Sequence, residues 1–229
     1  MKKSNFDIIL TGGSGFIGSK IAKHLESKGL KVAILDLALG HDLTDEQFNK
    51  SWFAENHSKY LINCFALDDQ IITGKDTRSY LDIDLATIRR YLEVNVLALL
   101  SVCREFIKNQ ESGSIVNFSS VYSTVSPRND IYGDLEKNVG YGLSKSAVNQ
   151  LTRHLAVHAA PNFLVNSIIL GGVYNSQPEE FVTNYSQNVP LKRMANPRDV
   201  FGLIEYLCSG SATYSTGSNF IIDGGWTAW

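Results

Sequence analysis

Thr11-Gly12-Gly13-Ser14-Gly15-Phe16-Ile17-Gly18 is the stretch that decides the architecture of this chain. An apolar run, 6–10, leads into it. Behind it Ile17, Ile21 and Leu25 recur at helical spacing, and Gly29 supplies a C-terminal stop for a helix over 16–28. The order is therefore strand, glycine turn, helix. Gly12, Gly15 and Gly18 stand three residues apart. Glycines so placed let the chain turn sharply, bring backbone close to a pyrophosphate and pack the helix tightly on the sheet. The helix N-terminus then presents free N–H groups and positive potential to phosphates. Gly12, Ser14, Gly15, Phe16, Ile17 and Gly18 are accordingly expected at a dinucleotide.

Outward from this loop, short apolar runs at 31–36, 60–65, 114–118, 164–170 and 219–223 alternate with helix-length amphipathic stretches at 45–56, 85–110, 141–158 and 197–208. Helical pieces fall within 175–188. This is the pattern of an α/β fold, a Rossmann-type doubly wound parallel sheet in three layers. One spacing departs from it. Only five residues separate Asp36 from Asp42, whereas a crossover helix with a returning strand needs about 10–12. The third strand, at the sheet edge, is expected to be missing or reduced to a stub. The 229 residues suit one domain, 1–229.

Composition narrows the function. Hydrophobic residues make up 44% and charged residues 19%, enough for a sizeable core. A net charge of −2 without any basic run argues against nucleic acid, because phosphate binding needs clustered Lys and Arg. Cys64, Cys103 and Cys208 are scattered and form no CxxC pair, so they read as reduced thiols. No apolar run reaches the ~18 residues of a membrane span. The polar start, 1–7, runs into a strand rather than resembling a signal peptide. A cytoplasmic protein with small-molecule partners is expected. The five histidines lack metal-ligand spacing, and no metal is expected.

Two further features carry chemistry. Asp36 ends the second strand 18 residues after Gly18, where an acidic side chain accepts hydrogen bonds from the adenosine ribose. It would repel a 2′-phosphate, and no Lys or Arg lies in the loop or just after it, so NAD is expected over NADP. Tyr141 and Lys145 stand four apart at the start of a helix, on one face. An ammonium beside a phenol favours the phenolate, which suits Tyr141 for exchanging a proton with an alcohol or carbonyl.

In this order the motifs identify a family. The chain resembles the short-chain dehydrogenase/reductase family, single-domain branch, along almost its whole length. The stretches that carry the resemblance are TGGSGFIG, HDLTDE, NVLALL, GSIVNFSS, YGLSK, PLKRMANPRDVFGLIEYLCS and STGSNFIIDGGW. The resemblance implies Tyr141 as catalytic acid/base. It implies Lys145 as the residue that lowers its pKa and holds the nicotinamide ribose, Ser120 as the donor to the substrate oxygen, and Asn95 as support for a water relay to Lys145. Asp42 and Leu43 would line the adenine, Asn63 and Ala66 the adenosine region, and Gly171 and Val173 the nicotinamide carboxamide. The cofactor carries the hydride chemistry. The helix bearing Leu92, Val96, Leu99 and Leu100, with the Tyr141 helix, would make subunit contacts in a homo-tetramer or homo-dimer. Trp226 and Trp229 at the C-terminus suggest burial at a subunit interface or over a neighbouring site.

The chain departs from the family pattern in four places. Its glycine spacing is that of the extended branch, which includes sugar-nucleotide epimerases and dehydratases. The Asn-Asn-Ala-Gly stretch reads Asn63-Cys64-Phe65-Ala66, and the Pro-Gly after the sixth family strand reads Leu170-Gly171. Ser120 and Tyr141 are 21 apart, where the family has about thirteen; the excess falls in 126–138, a polar loop that is expected to shape a polar substrate pocket. Arg128 in this loop reads either as an anion partner or as a solvated residue. The segment 121–145 also resembles members linked to bacterial surface-sugar or flagellin glycan biosynthesis, which implies a sugar-like substrate. The leading expectation is thus an NAD(P)-dependent alcohol/carbonyl oxidoreductase. The alternatives are an epimerase or dehydratase of the same fold, and a dinucleotide-sensing module without catalysis.

Overall fold

The C-terminal halves of the central strands are buried on both faces, and helices join each strand to the next, which is why they pair in parallel. The computed structural model describes residues 4–68, 80–132 and 136–229. Six strands, β1 (Ser4–Thr11), β2 (Val32–Leu35), β3 (Asn56–Asn63), β4 (Gly113–Ser120), β5 (Phe163–Leu170) and β6 (Asn219–Ile222), form one parallel sheet in the order β2-β1-β3-β4-β5-β6. Side chains alternate across it. Ile9, Leu61, Ile115 and Val165 enter one core with Phe53, Val102, Phe106 and Val148. Ile8, Leu10, Ile62, Val116 and Ile168 enter the other with Ile21, Leu25 and Ile204.

The helices supply the two outer layers. α1 (Phe16–Ser27) and α8 (Phe201–Leu207) cover the second core. α2 (Glu46–Glu55), the long run α3 (Leu85–Leu92) to α4 (Leu99–Asn109), and α6 (Val139–Ala159) cover the first. A π-helical turn, Glu93–Ala98, joins α3 to α4. The short α5 (Asn129–Tyr132) and α7 (Glu179–Gln187) pack together at the C-terminal end of the sheet.

β2 is the sheet edge, and among the described residues no strand lies beyond it. From Asp36 the chain makes a 3-10 turn, Leu37–Leu39, turns through Gly40 at φ +81°, and enters α2 directly. The expected loss of the third family strand therefore holds.

Two expectations about packing need correction. Leu99 is buried in the core rather than presented for a subunit contact; Leu85, Leu92, Leu97 and Leu100 are exposed on that run. Trp226 is buried within its own chain, stacked on Tyr185 at 4.4 Å, and needs no partner to cover it. Trp229 is exposed. Among the described residues no helix is long and apolar enough to cross a membrane.

Candidate active site

The glycine loop closes on itself too tightly for side chains. Gly12 has φ +72°, and a Cβ there would lie 2.5 Å from the Phe65 nitrogen. A Cβ on Gly18 would lie 2.1 Å from the Gly12 carbonyl oxygen. Gly15 is the N-cap of α1, and no side chain caps the helix, so its first N–H groups face the cleft free of local acceptors. A bare backbone cradle at an uncapped helix end fits a pyrophosphate.

The edge of the sheet continues this site. The Asp36 carboxylate accepts from the Ser14 N–H at 2.9 Å and from the Ala38 N–H at 2.9 Å, which ties the glycine loop to the end of β2. Each carboxylate oxygen keeps a further lone pair for a ribose hydroxyl. Asp42 accepts from the backbone and hydroxyl of Thr44, which hold its carboxyl below the usual range. Leu43 is buried, and its carbonyl already accepts from Asn49 at 2.8 Å. Asn63 is spent inside the protein, accepting from Thr11 at 2.9 Å and donating to Asn117 at 2.9 Å. Its side chain does not line the cleft; Ala66 does.

The reacting groups meet at the C-terminal ends of β4 and β5. α6 starts two residues before Tyr141, because the Asn138 side chain accepts from the Gly140 N–H at 2.9 Å and fixes the first turn. Lys145, one turn on, is buried and donates to the Phe118 carbonyl at 2.9 Å. Its ammonium lies 5.8 Å from the Tyr141 ring centre. Of the two adjacent serines, Ser119 donates to the Lys145 carbonyl at 3.1 Å, whereas Ser120 accepts from the Tyr122 N–H at 3.2 Å and is the one that lowers the Tyr141 phenol. Asn95, in the π turn, holds both backbone groups of Leu67, at 2.7 and 3.0 Å, and donates to Ser144 at 2.9 Å. Its side chain does not touch Lys145; a relay would have to use its main chain.

Burial dominates the electrostatics of Tyr141. Burial raises the Tyr141 phenol, and the Asp68 carboxylate raises it further, against a lowering by Ser120. Burial lowers Lys145 to about 8. The ammonium alone therefore does not offset the desolvation of the phenol in the free protein.

Asp68 and Lys137 are site residues that the sequence reading missed. Lys137, from the loop 126–138, places its ammonium 4.4 Å from the centre of the Tyr141 ring and forms an ion pair with Asp68. The same cleft, about 550 Å³, is lined by Tyr122, Tyr132, Gln177, Tyr185 and Met194, together with Gly171 and Val173. The hydroxyls of Tyr122 and Tyr132 meet at 2.5 Å. Tyr185 accepts from the Gly172 N–H at 2.6 Å and is backed by Trp226. Arg128, by contrast, forms an exposed pair with Asp130 outside the cleft. A larger surface groove of about 850 Å³ between α1 and the turn at Pro197 meets this site only at Phe16.

Comparison with known proteins agrees with this geometry. A family model described as Enoyl-(Acyl carrier protein) reductase matches residues 36–227. A D-arabinitol 2-dehydrogenase (ribulose-forming) of Candida albicans is 28% identical, over 97% of this chain and 92% of the relative. The post-translational flagellin modification protein A of Campylobacter coli is 25% identical, over 96% of this chain and 97% of its own length. A short chain dehydrogenase from Leptospira borgpetersenii, solved with bound NAD+, superposes with a TM-score of 0.86 at 27% identity, covering 99% of this chain and 94% of that one.

Proposed function

Because this chain belongs to the short-chain dehydrogenase/reductase family and is an NAD(P)-dependent oxidoreductase, we propose that it interconverts a secondary alcohol and a ketone on a polyhydroxylated, sugar-like substrate, with Tyr141 as general acid/base. The observation that carries this reading is the convergence of Ser120, Tyr141 and Lys145 at one wall of a polar cleft whose other end is the glycine cradle.

Bound at that cradle, the oxidised nicotinamide supplies the hydride acceptor. Gly12, Gly15, Gly18 and the start of α1 would hold its pyrophosphate, and Gly171 and Val173 would serve its carboxamide. In the oxidation direction the Ser120 hydroxyl orients the substrate oxygen. Tyr141 takes the alcohol proton as the C–H bond gives up its hydride, and a carbonyl is left. Lys145 steadies the ribose and the phenolate, and the Asn95 main chain leads the proton out to solvent. In the reverse direction Tyr141 donates.

Asp36 supports NAD over NADP, since its carboxylate stands where a 2′-phosphate would need a cation. The hydroxyl-rich lining from Tyr122 and Tyr132, with Gln177, supports a polyol or sugar, as does the name of the C. albicans relative. Leu92, Leu97, Leu100 and Leu143, exposed on the α3–α4 run and on α6, support a homo-oligomer, a tetramer or dimer, through these helices. We read residues 1–229 as one catalytic domain working in the cytoplasm.

The test is a panel of polyols and sugars with NAD+ and with NADP+, followed by nicotinamide absorbance. Reduction of NAD+ by at least one polyol, with weaker use of NADP+, is the expected result. Tight binding of NAD+ with no turnover across the panel would instead favour a sensing module.

A further inference from the structure

Lys137, two residues before the start of α6, brings into the cleft a charged group that the proton chemistry does not use. Among the described lining residues only Asp68, Lys137 and Lys145 carry formal charge. Lys145 donates to the Phe118 carbonyl and, on the reading above, serves the ribose and the phenolate. Lys137 lies over the Tyr141 ring, its ammonium 4.4 Å from the ring centre. Its side chain is 8% exposed, whereas that of its partner Asp68 is 52% exposed.

This asymmetry matters. A lysine stem packed into a cavity wall is held in place, while a half-exposed carboxylate gains little from an ion pair, because water screens it and its side chain loses freedom. Exchanging Asp68 for another anion therefore costs little. A second anion placed on Lys137 would sit beside Tyr141 on a largely buried lysine, where a charged hydrogen bond is stronger than in open water. The neighbouring hydroxyls of Tyr122 and Tyr132 are placed to meet hydroxyl groups on the same molecule.

We propose that Lys137 is a substrate-binding residue, and that the substrate is an anionic polyol, carrying a carboxylate or phosphate that replaces Asp68 on the Lys137 ammonium. This rests on the oxidoreductase reading above and adds the substrate's charge to it. The specificity element is then the loop itself, because it delivers the cation to the reacting phenol. Carboxylate and phosphate share the chemistry that Lys137 recognises.

The experiment uses the NAD+-loaded protein and three probes on one carbon skeleton: D-arabinitol, D-arabinonate and D-arabinitol 5-phosphate. Affinities are measured by calorimetry for the wild type, Lys137→Met and Lys137→Arg. At least one anion is expected to bind about tenfold or more tightly than arabinitol, as a charged hydrogen bond implies. That ratio should collapse in Lys137→Met and persist in Lys137→Arg. Which anion wins identifies the group. A merely structural role for Lys137 would weaken all three probes together and leave the ratio unchanged. The proposal is overturned if arabinitol binds as well as both anions, if the preference survives in Lys137→Met, or if none of the three binds. Turnover of arabinitol without anion preference would keep the oxidoreductase reading and remove this one; anion preference without turnover of any polyol would do the reverse.

Discussion

Lys137 lies 4.4 Å above the Tyr141 ring and is paired with Asp68, so the reacting phenol sits beside two opposite charges delivered from different parts of the chain. Of these, Asp68 raises the phenol, after burial, while Ser120 lowers it; Tyr122 and Cys64 add small raising effects. Oxidation requires the phenolate, so its rate should climb with pH toward the Tyr141 midpoint. Removing the Asp68 charge stabilises the phenolate and moves that midpoint down. For Asp68→Asn we expect the pH profile of kcat/KM in oxidation to shift to lower pH by about half a unit, the modest size reflecting the exposure of Asp68. A profile that stays in place or moves up would remove Asp68 from the electrostatics of the site.

Lys145 gives a stability prediction of definite sign. Burial lowers it to about 8 in the folded protein, against about 10.4 in the unfolded chain. Between these values the unfolded state binds more protons, so the contribution of this residue to stability rises with pH across that window. Below pH 8 the folded protein carries the full cost of a buried ammonium. Lys145→Met should therefore raise the Tm of the cofactor-free protein below pH 8. The gain should fade toward pH 10, even though the variant is inactive. Thermal unfolding at several pH values checks this. A gain that grows with pH would contradict it.

The cleft wall at Tyr185 separates structural from cofactor effects. Trp226 stacks on Tyr185, whose hydroxyl accepts from the Gly172 N–H. Trp226→Ala should lose about 3–5 kcal/mol of stability through the cavity it leaves. Tyr185→Phe keeps the stack and loses only the hydrogen bond, at a cost of about 1 kcal/mol. It should nevertheless weaken cofactor binding, because Gly172 neighbours Gly171 and Val173. Denaturant titration and NAD+ titration of both variants make the comparison.

Asp36 binds the glycine loop through Ser14 and, on the proposed reading, accepts from the adenosine ribose. Asp36→Ala should therefore weaken NAD+ and improve NADP+ in relative terms, shifting the ratio of the two affinities by about tenfold or more. An unchanged ratio would place cofactor choice elsewhere.

Much of the fold was legible in the sequence, for physical reasons. β4 and β5 are buried along nearly their whole length, so their apolar residues come on both faces rather than in strict alternation, although Asn117, Asn166 and Ser167 interrupt them. The missing edge strand followed from the short stretch between Asp36 and Asp42. Boundaries shifted where polar side chains set them: Asn138 begins α6 before Tyr141. The site was legible as far as its motifs extend. Glycine close approach and the Tyr141–Lys145 helix spacing are local. Lys137 was not legible, because its partner Asp68 lies 69 residues away and no periodicity links them. The burial that raises Tyr141 was equally hidden, since the sequence offers the ammonium but not the solvent it loses. Nor did the sequence tell that Asn63 and Leu43 would spend their polar groups inside the protein.

The central claim is that Tyr141 moves the proton in a nicotinamide-dependent oxidation. It is tested most directly by measuring single-turnover NAD+ reduction, and NAD+ affinity, in Tyr141→Phe with a substrate that the wild type oxidises. The account predicts that reduction falls by about a hundredfold or more, the usual contribution of a positioned acid/base, while NAD+ affinity and Tm stay close to wild type. Reduction at the wild-type rate in a folded, NAD+-binding Tyr141→Phe protein would contradict it.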